Sequence, residues 1–281
     1  MTEGPEIVST VAALRALLAG ARKAGTRIGL VPTMGALHEG HLSLVRQTKV
    51  RCGVMVVSIF VNPAQFGPNE DFARYPRTFE SDCAKLADLA DLVFAPSVSE
   101  MYPDGFAARI EVGGPALGLE SDFRPHFFSG VATVVAKLLI AAMPDEATFG
   151  EKDYQQLLVI RRLVADLALP IEIVAGQTVR EPNGLALSSR NAYLSPEERK
   201  IASQLNIVLR DIAERLQLGE LVNSVEAWGR ECLLRAGFSS VDYVAVRDAE
   251  TLVPIQSLAR PARVLAAAKI GTTRLIDNMS V

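Results

Sequence analysis

Two short runs constrain the fold of this chain most: RIGLV at residues 27–31 and VMVVSIF at 54–60. Neither alternates apolar with polar residues, so each reads as a strand buried on both faces. Similar runs follow at Leu92–Ala95, Ala147–Phe149 and Ile171–Ala175. Between them lie helical patterns. Val11, Leu14, Leu17, Leu18 and Ala21 recur at helical spacing, with Ser9 or Thr10 as N-cap and Gly25 as the stop. Further helices are predicted near His41–Arg51, Phe79–Ala90, Val131–Ala142 and Tyr154–Leu167. Buried strands alternating with helices give an α/β chain with a Rossmann-like parallel sheet. Such sheets bind ligands beyond the carboxyl ends of their strands. The loops after Val31, Phe60, Phe149 and Ala175 are therefore expected to converge on one crevice.

The pattern changes after about residue 178. Ser195-Pro196-Glu197-Glu198 is a capping box with proline at the first helical position, and it opens a helix toward Leu218. A second helix is expected from about Ser224 to just before Gly237. Strand-like runs follow at Val241–Val246, Arg263–Ala268 and Arg274–Ile276. The expected division of the 281 residues is thus 1–178 for the parallel-sheet domain and 179–281 for a smaller α+β domain.

Several function classes are disfavoured. A net charge of −3 offers no basic footprint for nucleic acid. Cys52, Cys83 and Cys232 lie far apart without a CxxC spacing, which argues against a disulfide framework or structural zinc. The opening MTEGPEIVST has two acids and no apolar core, unlike a secretory signal. The greasy stretch Val131–Met143 is interrupted by Thr133 and Lys137 and falls short of the ~20 residues a membrane span needs. The expectation is a cytoplasmic enzyme with no membrane partner.

The motif richest in chemistry is PTMGALHEGH at 32–41, which holds two of the chain's three histidines between a strand and a helix. Gly35 and Gly40 let backbone approach a ligand closely. A helix N-terminus offers unpaired N–H donors and a positive dipole end, which suit phosphate. His38 and His41 there would hydrogen-bond phosphate oxygens as charge develops. The other reading is a plain turn with two surface histidines. A metal site is disfavoured because no third His or Cys ligand is near.

Other segments carry the same ambiguity. In FGEKDYQQL (149–157), Lys152 is placed to meet phosphate as a point charge, and Asp153 either caps the helix or holds a ribose hydroxyl. Gln156 faces the crevice if it lies one turn into the helix. Asn62 and Gln65, just past a strand, offer amides for a hydroxyl and a carboxylate, although Asn-Pro also opens turns. Ser188, Ser189 and Arg190 suit a polyphosphate clamp or, equally, a polar linker before Ser195.

His-x-Gly-His after a first strand resembles the nucleotidylyltransferase superfamily, whose ATP sits on that motif. The longer string is similar to that of the pantothenate synthetase family. SIFVNPAQF (58–66), NEDFARYPRT (69–78), FGEKDYQQL (149–157), LALSSRNAYLS (185–195) and RLIDN (274–278) follow in the family's order. The resemblance implies that pantoate's carboxylate attacks the α-phosphate of ATP, releasing pyrophosphate. The amine of β-alanine then attacks the adenylate, releasing AMP and pantothenate. It places Met34, Gly35, Ala36, Leu37, His38, Glu39, Gly40 and His41 at ATP, with Gly150, Glu151, Lys152, Asp153, Val179, Leu187, Ser188, Ser189 and Arg190. His41, His38 and Lys152 carry the catalytic roles. Gln65, Gln156 and Asn62 would hold pantoate, with Gln65 also close to β-alanine. Mg2+ would ride on the ATP phosphates without a directly assigned protein ligand. A homodimer with the small domain as a lid is implied too. The alternatives are another HxGH nucleotidyltransferase, which would need more cations for a second phosphate, or a nucleotide-binding protein on this fold without turnover.

One segment departs from the family. Its usual string is Arg-Pro, a small residue, His-Phe-Arg-Gly-Val, whereas this chain has Arg124-Pro125-His126-Phe127-Phe128-Ser129-Gly130-Val131. The histidine stands one place early. The family's histidine role is therefore not carried onto His126. Either the loop shifts so that His126 still reaches the crevice, or Phe127 covers the pocket there, and the second is favoured because Pro125 fixes its own φ and restricts the residue before it.

Overall fold

The computed structural model describes residues 4–68 and 70–281. Residues 1–3, from the opening stretch, and Asn69, which starts the NEDFARYPRT block, lie outside the described residues. In chain order the elements are β1 (Glu6–Val8), α1 (Val11–Lys23), β2 (Ile28–Thr33), α2 (Glu39–Lys49), β3 (Val54–Ile59), α3 (Phe79–Leu86), β4 (Leu92–Phe94), α4 (Val98–Met101), α5 (Glu120–Phe123), α6 (Phe127–Ala142), β5 (Glu146–Gly150), α7 (Tyr154–Asp166) and β6 (Glu172–Gly176). They continue with α8 (Pro196–Gln217), α9 (Val222–Ala236), β7 (Ser240–Asp248), β8 (Ala262–Ile270) and β9 (Thr273–Ser280).

The chain divides into two compact units. The first comprises residues 1–113, 124–151 and 159–177, and the second 114–123, 152–158 and 178–281. Short segments from the middle of the chain are thus part of the second unit.

In the first unit six parallel strands lie in the order β1-β4-β3-β2-β5-β6. The two runs that constrain the sequence are its central neighbours, with Ile28 opposite Val54 and Thr33 opposite Ile59. Val31, Met55, Val57 and Val93 pack with Leu44 and Val45 of α2 and Leu86 of α3. Ile28, Leu30 and Val56, which alternate with them, are buried as well, so both faces of the sheet are covered. Helix α6 is apolar nearly all round, and Val131 and Leu139 are at most 1% exposed. Each such side chain contributes about 1.5–3 kcal/mol.

Two differences from expectation have simple causes. Strand β1 leaves little mark in the sequence because it is three residues long and only Val8 is buried. Helix α6 begins four residues before Val131, because Phe128 is a buried core residue despite the Phe-Phe-Ser-Gly sequence.

The second unit has a three-stranded antiparallel sheet, β7-β8-β9, packed with α8 and α9. Helix α8 opens with the expected box. Ser195 Oγ accepts the Glu198 N–H at 3.2 Å, and the Ser195 N–H donates to Glu198 Oε2 at 2.9 Å. Such a cap is worth ~1 kcal/mol. Among the described residues no helix is long and apolar enough to cross a membrane.

Candidate active site

From β2 the first sheet grows one way through β3 and the other way through β5. This reversal between β2 and β5 is the switch point where ligands bind beyond strand ends. The PTMGALHEGH loop leaves β2 there, and Gly150 and Glu151 leave β5.

The loop's path is held by backbone and one buried acid. Gly35 has φ +80°, and the Gly35 N–H donates to Thr33 Oγ1 at 3.2 Å. Ala36 follows at φ +50°, a left-handed conformation that a non-glycine residue adopts only when its surroundings enforce it. Asp82, on α3, supplies that enforcement. Its fully buried carboxylate accepts the Ala36 and Leu37 N–H groups, both at 2.8 Å, and the Thr78 hydroxyl at 3.1 Å. Lys85 donates to the Leu37 carbonyl at 2.7 Å. Nothing local in the sequence marks Asp82, 46 residues from Ala36. In isolation it reads as an ordinary acid in a helix's first turn.

With the loop fixed, His38 is the N-cap residue of α2 and His41 lies in its first turn. The His38 N–H donates to His41 Nδ1 at 3.3 Å, and the ring centroids are 4.1 Å apart. Accepting at Nδ1 sets the neutral His41 ring to carry its proton on Nε2, so Nε2 is the donating nitrogen. Met34, Ala36 and Gly40 are half-buried, as are both histidines; Gly35 and Leu37 are buried. Glu39 is exposed and pairs with Arg46.

Beside this loop, β3 leads into the turn Pro63–Gln65. Asn62 is the N-cap residue of this turn. It is 1% exposed, and both amide hydrogens and both oxygen lone pairs are engaged within the protein. Gln65 is half-buried, and its Oε1 accepts from Asn62 Nδ2 at 3.0 Å. The Gln65 carbonyl accepts from Arg124, whose guanidinium pairs with Glu70 and lies 3.7 Å over the Phe127 ring. Phe127 is therefore packed beneath the arginine that braces this turn. His126 is exposed, and it lines a cavity of about 580 Å³ with Ala64, Tyr102, Arg109 and Ser129. No residue of 34–41 lines that cavity.

The second unit holds the remaining predicted residues. Lys152 is half-buried, its ammonium 3.9 Å from Asp153, and its carbonyl accepts from Asn278 Nδ2 at 2.8 Å. Gln155 is locked to Pro115, Gly118 and Glu120, whereas the side chain of the adjacent Gln156, in α7, makes no hydrogen bond among the described residues. Val179 and Leu187 are brought together, the Leu187 N–H donating to the Val179 carbonyl at 2.9 Å across a hairpin. Arg180 anchors that hairpin to Asp277 of β9 at 2.6 and 3.0 Å and to the Gly184 carbonyl. Ser188 then caps a single 3₁₀ turn, its hydroxyl accepting the Arg190 N–H at 3.3 Å, and Ser189 and Arg190 are half-buried. Among the described residues no group of three or more His, Cys, Asp or Glu could hold a metal ion.

Comparison with known proteins gives full-length matches. A pantothenate synthetase of Mesorhizobium japonicum is 54% identical over 99% of this chain and 98% of the relative. One of Nitrobacter winogradskyi is 55% identical over the full length of both. The crystal structure of pantothenate synthetase from Thermus thermophilus superposes with a TM-score of 0.91 at 50% identity, covering 98% of each chain. The pantoate-beta-alanine ligase from Francisella tularensis, complexed with beta-gamma ATP and beta-alanine, gives 0.83 at 37%, covering 98% and 97%. The family model described as Pantoate-beta-alanine ligase matches residues 6–280, and the chain belongs to that family.

Proposed function

We propose that this chain condenses (R)-pantoate with β-alanine through a pantoyl adenylate, consuming ATP and releasing AMP and pyrophosphate. The observation that carries this reading is the HEGH segment at the switch point, where two imidazoles and a helix N-terminus share one clamped loop. A carboxylate is a poor acyl donor because oxide is a poor leaving group. Transfer of AMP to it creates a good one. As the carboxylate attacks the α-phosphate, negative charge grows on the phosphoryl oxygens. His41, donating from Nε2, and the N-terminal dipole of α2 are suited to stabilise it. His38 positions His41 through its backbone N–H.

Residues 34–41, Gly150 and Glu151 are assigned to ATP on the first unit. Lys152, Asp153, Val179 and Leu187–Arg190 are assigned to it on the second, with Lys152 as the cation for phosphate. Gln65 and Gln156 are assigned to pantoate. Mg2+ is assigned to the nucleotide's phosphates and water, as suits an ion that keeps much of its hydration shell. A homodimer in the cytoplasm completes the reading, supported by the family resemblance and by three free cysteines.

The test is product formation. With ATP, Mg2+, pantoate and β-alanine together, the chain is expected to form pantothenate and AMP one for one, and to form neither when pantoate is omitted. Release of ADP in place of AMP would remove the adenylate route.

A further inference from the structure

The orientation of an amide side chain is set by what its neighbours can donate or accept. Around Asn62 two of those neighbours are backbone groups whose polarity cannot be reversed. The Ala64 N–H lies 3.3 Å from Asn62 Oδ1, and the Gly130 carbonyl lies 3.2 Å from Asn62 Nδ2. A flipped Asn62 would face donor to donor and acceptor to acceptor. Its Nδ2 is therefore the atom at Gln65, and Gln65 must answer with Oε1, at 3.0 Å. The Tyr102 hydroxyl, 2.7 Å from Asn62 Oδ1, must donate. Burial pushes that hydroxyl up to about 12, although the Asn62 bond acts the other way, so it keeps its proton through the working range.

The packing leaves this relay little freedom. A Cβ on Gly130 would lie 2.2 Å from the Ala64 carbonyl oxygen and 3.1 Å from the Gln65 nitrogen, so α6 presses directly on the turn. The Tyr102 ring is held edge-on by Phe106 at 5.1 Å, with Phe60 at 6.2 Å. No hydrogen bond among the described residues engages Gln65 Nε2.

We infer that Tyr102 and Asn62 are positioning residues that lock the Gln65 amide with its NH2 group toward the ligand, so that Gln65 recognises a hydrogen-bond-accepting oxygen of the acid substrate. This rests on the assignment of Gln65 to pantoate. It adds a polarity to that contact: Gln65 donates to the acid, and the relay prevents it from turning its carbonyl to the ligand. Tyr102 touches neither substrate nor reacting atoms in this scheme, and acts through Asn62.

The experiment is pantoate-dependent ATP–pyrophosphate exchange by the parent chain, Gln65→Glu and Tyr102→Phe. Glutamate keeps one oxygen for Asn62 Nδ2 but turns a carboxylate toward the acid. Its KM for pantoate at pH 8 is expected to rise ~100-fold, as like charges meet. Relative to parent, that KM should fall at least about threefold by pH 5.5, where protonation begins to restore a donor. Tyr102→Phe removes one neutral hydrogen bond, so its KM for pantoate should rise ~5-fold with KM for ATP unchanged. A merely structural tyrosine would move both constants together. An unchanged or lowered pantoate KM in Gln65→Glu overturns the donor assignment, and a joint rise of both KM values in Tyr102→Phe overturns its positioning role. A parent chain without pantoate-dependent exchange overturns the functional reading, and this inference with it.

Discussion

In the first unit, His38 and His41 stand at the junction of β2 and α2, two consecutive elements of one parallel sheet and its covering layer. In the second, Lys152 and the Val179–Arg190 hairpin are held by side chains of β9, far along the chain. Strand β9 grips three separate segments. Arg274 makes a two-pronged pair with Glu120, Asp277 pairs with Arg180, and Asn278 donates to the Lys152 carbonyl. Asp242 and Tyr243 of β7 join the Arg274–Glu120 cluster. Burial and the neighbouring Glu120 carboxylate push the Tyr243 hydroxyl well above its ordinary value, so it remains a donor. The first unit thus places its chemistry by hydrophobic layering with one added clamp. The second places it by charged and polar ties, which lose more when a single partner is removed.

Substitutions can break that contrast. The largest effect is expected from His41→Ala, which removes the proposed donor to developing charge and should slow adenylate formation ~10²–10³-fold. The thermal midpoint should stay close to the parent's, because the ring is half-buried and the loop is held by Asp82. A matching fall in stability would show that the first unit, too, depends on polar ties. Next comes Asp277→Ala. The Asp277 side chain is 2% exposed and that of Arg180 23%, so the pair is shielded on one side only. Removing the acid should cost roughly 2–3 kcal/mol, below the fully buried range because Arg180 keeps some water contact. Denaturant unfolding measures this, and weaker ATP binding should accompany it as the Val179–Arg190 hairpin loosens.

The smallest effect is one of pH. The Thr251 hydroxyl and N–H hold the Asp248 carboxyl below its ordinary value, with the Glu250 N–H and Arg260 adding to the same side. A carboxylate lowered on folding stabilises the native state above the unfolded value of ~3.9, and that stability is lost as pH falls through the lower folded value. Asp248→Asn should therefore be destabilised at pH 7, with the gap to parent closing below pH 4. A gap independent of pH would assign Asp248 a purely geometric role.

How much of this is legible in the sequence follows from the same contrast. The runs at 27–31 and 54–60 announce β2 and β3 because a strand buried on both faces leaves a continuous apolar record. The Ser195–Glu198 box announces α8 because capping acts within one turn. His38 and His41 are legible because a loop between adjacent elements keeps its neighbours in sequence. Asp82 is not, since a carboxylate reaching across 46 residues to backbone N–H groups leaves no periodic trace. Asn278 lies 126 residues from Lys152, and RLIDN alone gives no hint of which segments it grips. Asn62 stands out in the sequence, but its role does not. Whether an amide faces a ligand or a neighbour depends on burial and on Tyr102, 40 residues away.

The most direct test of the central claim is exchange of labelled pyrophosphate into ATP with pantoate present and β-alanine withheld. The proposed role of the loop, stabilising charge on the α-phosphate during attack by a carboxylate, predicts rapid exchange that needs pantoate and does not need the amine. Exchange that proceeds without pantoate, or that begins only when β-alanine is added, would contradict the adenylate as the first intermediate.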